Sequence, residues 1–294
     1  MDFEQTLQTH PKILMECAIA ERVRRAYPNL MHPRLATSLL IQTREGREIL
    51  RGFVHEYIAI AKNAELPIVL GTPTWRLDKL RSDEENITTD LNAHAVQFEM
   101  EFKQEYANVL VAGQLGCKND CYKPEEAINT SEAYDFHAWQ IGRLTEADFL
   151  YAVTLPEIGE ALGIAHAMAE TGKPYIISFV IGKDGRILDG TSIEDAIVQI
   201  DAETERPPTG YGVNCCYPAF LQSSELSVDA AKRILSIQAN ASSLTHDELN
   251  ESSSLQSDPV DDWKRCMLDL HQTIGIQMLG GCCGTTGEHL KTLV

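Results

Sequence analysis

Residues 149–180 read FLYAVTLPEIGEALGIAHAMAETGKPYIISFV and contain one complete strand–helix–strand unit. Residues 149–153 and 175–180 are short apolar runs with aromatic and β-branched side chains, which are typical of buried strands. Residues 156–171, between them, have the length and composition of a helix. A helix between two successive strands is the crossover that parallel strands require. The stretch therefore predicts an α/β fold with a parallel sheet.

The same unit recurs on both sides of this stretch. Further strands are predicted at residues 13–15, 67–71, 108–113, 211–214, 234–238 and 276–279. Helices are predicted at residues 47–64, 88–105, 132–145 and 192–203, and at the apolar stripe Val260, Trp263, Met267 and Leu270. Eight strands that mostly alternate with helices favour a (β/α)8 TIM-type barrel. The competing fold is an open doubly wound sheet, but no G-x-G-x-x-G follows the first strand and no P-loop is present.

The serine-rich residues 241–259 lie between the seventh strand and the last long helix, where a barrel has a βα loop. We interpret them as that loop and not as a linker between domains. The sequence contains no internal repeat. We therefore predict one barrel domain over residues 1–294, since barrels of this size are an exception to the usual domain length.

Charge and composition exclude several classes of partner. The formal net charge is −18, with 43 Asp and Glu against 25 Lys and Arg. This balance argues against binding to nucleic acid and to an anionic membrane surface, both of which require clustered basic residues. No run approaches the roughly 18 apolar residues of a membrane span, and the N-terminus does not resemble a secretory signal. We predict a cytoplasmic protein with small-molecule partners, and a homo-oligomer stays open.

The strongest chemical signal is the sequence GGCCGT at residues 280–285, directly after the last strand. A second pair, Cys215 and Cys216, follows the sixth strand. The ends of both strands meet at the C-terminal rim of a barrel, where the active sites of this fold are built. Three thiolates from two strand ends can bind Zn²⁺ and leave its fourth position open, as catalytic zinc requires. The spacing alone does not decide between Cys215 and Cys216.

A simpler interpretation applies to any cysteine, because a buried Cys is usually only a small apolar residue. Two adjacent pairs at two rim positions make a metal site more probable than one pair would. The chain has a further pair, Cys117 and Cys121, in the loop after the third strand. We interpret these two as exposed thiols rather than as a second metal site, because no other pair of ligands is near in sequence.

Residues 210–218, GYGVNCCYP, and residues 274–293, IGIQMLGGCCGTTGEHLKTL, resemble the two signature stretches of the homocysteine S-methyltransferase family, as does Asp189 to Ser192. The resemblance extends over nearly the whole chain and is most specific in its C-terminal third. It implies a (β/α)8 barrel whose zinc ligands are Cys215, Cys282 and Cys283. It also implies that Asn214 lies beside the metal and contributes to the substrate pocket.

The activity that the resemblance implies is methyl transfer from a sulfonium-type donor, S-methylmethionine or S-adenosylmethionine, to a zinc-activated thiol. In one branch of the family the donor is betaine. The acceptor would be homocysteine or a related thiol, which connects the chain with methionine biosynthesis. No catalytic group is implied beyond the zinc-bound thiolate of the substrate.

The substrate pocket departs from the family pattern. The first strand ends in Glu16 and Cys17, where the family usually has Asp-Gly-Gly or Asp-Gly-Ala. After the second strand, the family usually has Thr-Asn-Thr followed by Tyr or Phe, and this chain has Thr-Pro-Thr followed by Trp75. The fourth strand ends in Val153 and Thr154, where the family generally has a Glu that receives the amino group of homocysteine. We predict that these five residues line a changed substrate pocket.

An ammonium group buried without a carboxylate partner is costly, so homocysteine should bind poorly unless another acid replaces the one missing at Val153. Glu16 and Glu157 are the candidates, although Glu157 is more simply explained as a residue of a helix N-terminus. The alternative function is a non-catalytic zinc-binding barrel that acts as a thiol sensor or a partner protein.

Overall fold

The computed structural model describes residues 1–250 and 255–294 of the chain. Eight parallel strands form one closed barrel in sequence order, and β1 pairs with both β2 and β8. The predicted (β/α)8 fold is confirmed. The strands are β1 (Ile13–Met15), β2 (Ile68–Gly71), β3 (Val109–Gly116), β4 (Phe149–Leu155), β5 (Tyr175–Phe179), β6 (Gly210–Asn214), β7 (Ile234–Ala239) and β8 (Met278–Gly281).

Helices surround the barrel, and the long ones follow the predicted order. They are α1 (Phe3–Thr9), α2 (Ile19–Ala26), α3 (Arg44–Asn63), α4 (Lys79–Glu84), α5 (Leu91–Glu105), α6 (Thr130–Ile141), α7 (Ile158–Glu170), α8 (Ile193–Glu203), α9 (Pro218–Gln222), α10 (Val228–Arg233), α11 (His246–Asn250), α12 (Val260–Thr273) and α13 (Gly287–Lys291). Short 3₁₀ helices lie at Pro28–Leu30, Ser38–Gln42 and Pro124–Glu126. No helix within the described ranges is long and apolar enough to cross a membrane.

The boundaries of some elements differ from those predicted. β3 continues to Gly116, three residues beyond its predicted end, because Gln114, Leu115 and Gly116 pair with β4. α6 ends at Ile141, before the predicted 145, and Gly142 is its C-terminal cap. Pairing with a neighbouring strand extends a strand beyond what its own sequence indicates.

The two ends of the barrel differ in how they are closed. α1 covers the N-terminal end, where the buried Phe3 ring stacks on Phe149 with 3.9 Å between ring centroids. Inward side chains of several strands, including Met15 and Tyr151, fill the interior above it. A filled interior leaves the C-terminal end, with its βα loops, as the place for a site.

The serine-rich segment runs between β7 and α12. Its beginning and its end are held together, since the Asp258 carboxylate accepts a hydrogen bond from the Ser243 N–H at 2.6 Å and the Asp258 N–H donates to the Ala241 carbonyl at 2.9 Å. The loop prediction for residues 251–254 lies outside the described residues.

Candidate metal and substrate site

Three thiols converge at the C-terminal mouth of the barrel. Cys215 directly follows β6, and Cys282 and Cys283 directly follow β8. The sulfur of Cys215 lies 2.8 Å from that of Cys282, which lies 4.0 Å from that of Cys283. Cys283 is exposed, whereas the other two are partly buried. All three are free thiols.

The backbone after β8 brings the adjacent thiols to one point because glycines surround them. Gly284 has φ = +81°, a left-handed conformation that costs glycine little. A Cβ atom on Gly281 would lie 2.1 Å from Thr285 Oγ1, so a side chain does not fit there. Thr285 Oγ1 in turn donates to the Cys282 carbonyl at 2.6 Å. The turn is thus fixed by sequence and by its own hydrogen bond.

The donor set suits zinc, although its spacing is not yet that of a metal site. With Zn–S bonds of about 2.3 Å, two sulfurs on a tetrahedral ion are about 3.8 Å apart. The Cys282–Cys283 separation of 4.0 Å is close to this, and the Cys215–Cys282 separation of 2.8 Å is about 1 Å too short. Within the described residues, no group of three or more His, Cys, Asp or Glu side chains has metal-site spacing.

The three thiols strongly affect one another. The pKa of Cys283 is held well below its ordinary value because the thiols of Cys215 and then Cys282 hydrogen-bond to it. The pKa of Cys215 is raised well above its ordinary value by its hydrogen bonds to Cys282 and Cys283 and by burial. The cluster therefore favours the thiolate at its exposed end.

Asn214 connects this cluster to β4. Its Oδ1 accepts hydrogen bonds from the Thr154 N–H at 3.0 Å and from Ser178 Oγ at 2.7 Å. Its Nδ2 donates to the sulfur of Cys215 at 3.3 Å. A donor directed at a ligating sulfur fixes its orientation and stabilises its charged form.

Two residues of the mouth have left-handed backbone conformations without being glycine. Thr154 has φ = +59° and Cys215 has φ = +55°. For a β-branched threonine this conformation is an outlier, of the kind that clusters at functional sites. It coincides with a break in the register between β4 and β5, between Ala152 and Leu155. The Asn214 side chain, which binds the Thr154 N–H, helps to hold this backbone in place.

A cavity of about 200 Å³ opens beside the thiols. Every residue predicted from the sequence as a metal ligand or a substrate contact lines it. These residues are Glu16, Cys17, Trp75, Val153, Thr154, Asn214, Cys215, Cys282 and Cys283. They come from the ends of four strands and from the loop after β2, so the closure of the barrel brings them together.

Glu16 is the predicted acid that does line the cavity. Its Oε2 is buried and has no hydrogen-bond partner among the described residues. Burial raises the pKa of this carboxyl to about 8, against a smaller opposing effect of the Gly71 N–H. Its neighbour Cys17 is also buried, which raises the pKa of that thiol to about 12. The first strand is therefore followed by an acid that has no counterion among the residues that the structure describes.

Val153 and Trp75 form the wall nearest β4. Val153 is 1% exposed and leaves this wall apolar. Trp75 Nε1 donates to Thr154 Oγ1 at 2.8 Å, and the Arg76 guanidinium lies 4.2 Å from the centre of the indole ring. One face of the ring thus already carries a cation from the chain itself, which favours a packing role for Trp75.

Two sequence candidates lie elsewhere. Glu157 is the N-cap of α7, where its carboxylate accepts a hydrogen bond from the Glu160 N–H at 2.8 Å. It is absent from the cavity lining, which agrees with the simpler explanation given above. Cys216 is 1% exposed and also lies outside that lining, so Cys215 is the member of the pair that faces the mouth.

The prediction that Cys117 and Cys121 are exposed thiols is wrong. They are 3% and 5% exposed, and burial raises the pKa of Cys117 to about 12. The loop after β3 folds inward because Arg76 donates to the carbonyls of Cys117 and Asn119, at 3.3 and 2.6 Å. A loop anchored by a guanidinium packs its cysteines, whereas the sequence alone suggested a solvated loop.

The sequence analysis missed Glu99. This residue lies on α5, is 3% exposed and lines the cavity. A signal was present, because Glu99 continues the buried helical stripe of Ala95, Val96 and Phe102. An acid within an apolar stripe indicates a buried carboxyl, and buried carboxyls are rare unless they serve a function.

Comparisons with known proteins agree with the fold. The metallated form of the homocysteine methyltransferase MmuM from Escherichia coli has a TM-score of 0.74, with 18% identity, over 98% of this chain and 97% of that chain. Its oxidized form has a TM-score of 0.73, with 16% identity, over 98% and 96% of the two chains. At this level of identity the likeness establishes the barrel fold.

The sequence profile of the homocysteine S-methyltransferase family matches residues 4–294. The chain belongs to this family, a class of methyltransferases, as the sequence resemblance predicted. Homocysteine S-methyltransferase 2 from Arabidopsis thaliana is 27% identical over 177 residues, which cover 57% of this chain and 51% of that protein. The match thus spans about half the length of this plant relative.

Proposed function

We propose that the chain is a zinc-dependent S-methyltransferase that transfers a methyl group from a sulfonium-type donor, S-methylmethionine or S-adenosylmethionine, to a thiol. The single observation that carries this proposal is the convergence of Cys215, Cys282 and Cys283 beside a cavity at the C-terminal mouth. Membership of the homocysteine S-methyltransferase family and the fold of MmuM, solved in a metallated form, support it.

The residues that would hold the metal are Cys215, Cys282 and Cys283. With zinc bound, these three sulfurs would leave one position of the metal open, and the metal would supply the deprotonation of a thiol placed there. Asn214 orients the Cys215 sulfur through its Nδ2. The buried Val153 makes its part of the cavity wall apolar, and apolar surroundings favour a reaction in which a thiolate and a sulfonium neutralise each other.

The overall reaction balances without a further reagent. The acceptor sulfur forms a bond to the methyl carbon while the bond between that carbon and the sulfonium sulfur breaks. The donor leaves as a neutral thioether, and the thiol proton passes to solvent. The role of the protein is to hold the two sulfurs and the methyl group in line, and such positioning can supply a large share of the rate enhancement.

The test is zinc content together with a methyl-transfer screen. Freshly reduced wild type is expected to contain about one zinc per chain, and Cys215→Ser and Cys282→Ser are expected to lose it. Cys266→Ser is the matched control, since Cys266 is partly buried on α12, away from the cavity lining. Mass spectrometry then follows the methylated product from a panel of thiols with each sulfonium donor.

The outcomes separate the two functions considered. Zinc with a methylated product that requires Cys282 supports the methyltransferase. Zinc without product from any thiol would favour the non-catalytic thiol-binding barrel. No zinc in reduced wild type, or full zinc in Cys282→Ser, would overturn the zinc dependence.

A further inference from the structure

Two buried carboxyl groups line the same cavity from different elements. Glu16 directly follows β1, and Glu99 lies in the middle of α5. The Oε2 atoms of both are buried, and neither has a hydrogen-bond partner among the described residues. A buried polar atom without a partner costs about 1–3 kcal/mol. Two such atoms at one cavity indicate that a ligand supplies the missing partners.

The two carboxyls also act on each other. Burial and then the charge of Glu16 raise the pKa of Glu99 well above its ordinary value, and the charge of Arg51 opposes them. Arg51 is already paired with Glu101 and lies 5.1 Å from the centre of the Phe102 ring. The Arg51 guanidinium, which lowers the pKa of Glu99, is therefore already paired with another acid.

The rest of the cavity restricts the ligand further. Over the described part of the chain, the lining contains the acids Glu16, Glu21 and Glu99 but no Lys, Arg or His. Leu50 and Val54 of α3 contribute apolar surface. A ligand carboxylate would meet no basic side chain here, and its charge would oppose the ionisation of the two buried acids. An alkyl chain that ends in an ammonium group fits both the apolar wall and the acids.

We infer that Glu16 and Glu99 form a subsite for an alkylammonium group, and that the thiol acceptor is an aminothiol without a carboxylate beside its amine. The thiol part of this inference rests on the proposed methyl transfer. The subsite is formed by the residue after β1 and by α5. At β4, by contrast, Val153 leaves the cavity wall apolar. Glu16 and Glu99 thus supply on other elements the acid that β4 lacks.

Calorimetric titration of n-butylamine into reduced, metal-free protein at about pH 7 tests the subsite without zinc or turnover. We expect wild type to bind butylamine but not 1-butanol or butyrate, and Glu99→Gln and Glu16→Gln each to weaken binding by about fivefold or more. Glu105→Gln is the matched control, because Glu105 is an exposed acid at the end of the same helix. Circular dichroism shows whether each variant is folded.

A second readout is the number of protons that the protein releases when the amine binds. An ammonium group favours the ionised carboxyls, so binding is expected to release protons, which makes the measured heat depend on the ionisation enthalpy of the buffer. This dependence should shrink in Glu16→Gln and in Glu99→Gln. A structural role for the two acids would not produce it.

Wild type that binds butylamine no better than butanol, or Glu99→Gln that binds it as wild type does, would overturn the inference. Neither outcome touches the methyl-transfer proposal, which the zinc and product assays decide. Conversely, a protein that binds butylamine through Glu16 and Glu99 but forms no methylated thiol would retain the subsite and lose the proposed function.

Discussion

The side chain of Asn214 accepts a hydrogen bond from the backbone N–H of Thr154 at 3.0 Å and so joins the ends of β6 and β4. Thr154 is held at φ = +59° beside the break in pairing between β4 and β5. The same amide also donates to Cys215, the first of the three clustered thiols. The strained end of β4 and the proposed metal ligand are therefore fixed by one side chain.

Asn214→Ala is expected to destabilise the protein by about 2 kcal/mol, because it leaves the buried Thr154 N–H and the Ser178 hydroxyl without their acceptor. Urea unfolding of the metal-free protein measures this change. Ser178→Ala is the matched control, since it removes one hydrogen bond to Asn214 and leaves no buried donor unpaired. It should cost about 1 kcal/mol. Equal costs for the two variants would contradict the anchoring role of Asn214.

Val153→Glu tests why homocysteine should be a poor acceptor. This substitution places a carboxylate in the wall of the cavity where the chain now has an apolar side chain. We expect kcat/KM for homocysteine to rise by about tenfold, since a paired ammonium gains at least about 1.4 kcal/mol. Val153→Gln, which has the same shape without the charge, is the control. A gain of the same size in that control would show that shape, not charge, limits homocysteine.

The buried Glu16 carboxyl makes stability depend on pH. Its pKa is raised from 4.5 to about 8, so between these values the folded state binds a proton that the unfolded state has lost. Stability from this group is therefore fully present below about pH 4.5 and is lost as the pH rises through about 8.

Glu16→Gln should remove this dependence. Between about pH 5 and pH 8, wild type is expected to lose about 3.5 kcal/mol more of its unfolding free energy than the variant does. Glu99 titrates in the same direction, and its pKa depends on the charge of Glu16, so the difference between the two proteins reports Glu16 together with its coupling to Glu99. Urea unfolding at several pH values provides the measurement, and parallel curves would contradict a buried, unpaired Glu16.

Much of the fold and part of the site could be predicted because they depend on local patterns. All eight predicted strand positions coincide with strands, since each was a short apolar run bounded by turn residues. Once the strand order is known, barrel closure places every strand end on one rim. This is why Val153, Cys215 and Cys282 were predicted to lie near one another, as they do.

The missed features depend on contacts between distant parts of the chain. Cys117 and Cys121 looked solvated because no local pattern shows that Arg76 holds their loop inward. Glu99 and Glu16 are 83 residues apart in sequence, yet they line one cavity. Helical periodicity places Glu99 on a buried face, but it does not say what that face packs against.

The sequence by itself determined the barrel and the thiols at its mouth, because strand periodicity, glycine positions and adjacent cysteines act over a few residues. Only the tertiary structure decided that Asn214 holds the Thr154 backbone. Spacing left Cys215 and Cys216 open, the family resemblance favoured Cys215, and the structure shows that Cys215 lines the cavity. It also decided that Glu99 reaches the cavity. Burial and the loss of solvent are properties of the packed chain, and a carboxyl becomes an unpaired buried acid only when other elements close over it.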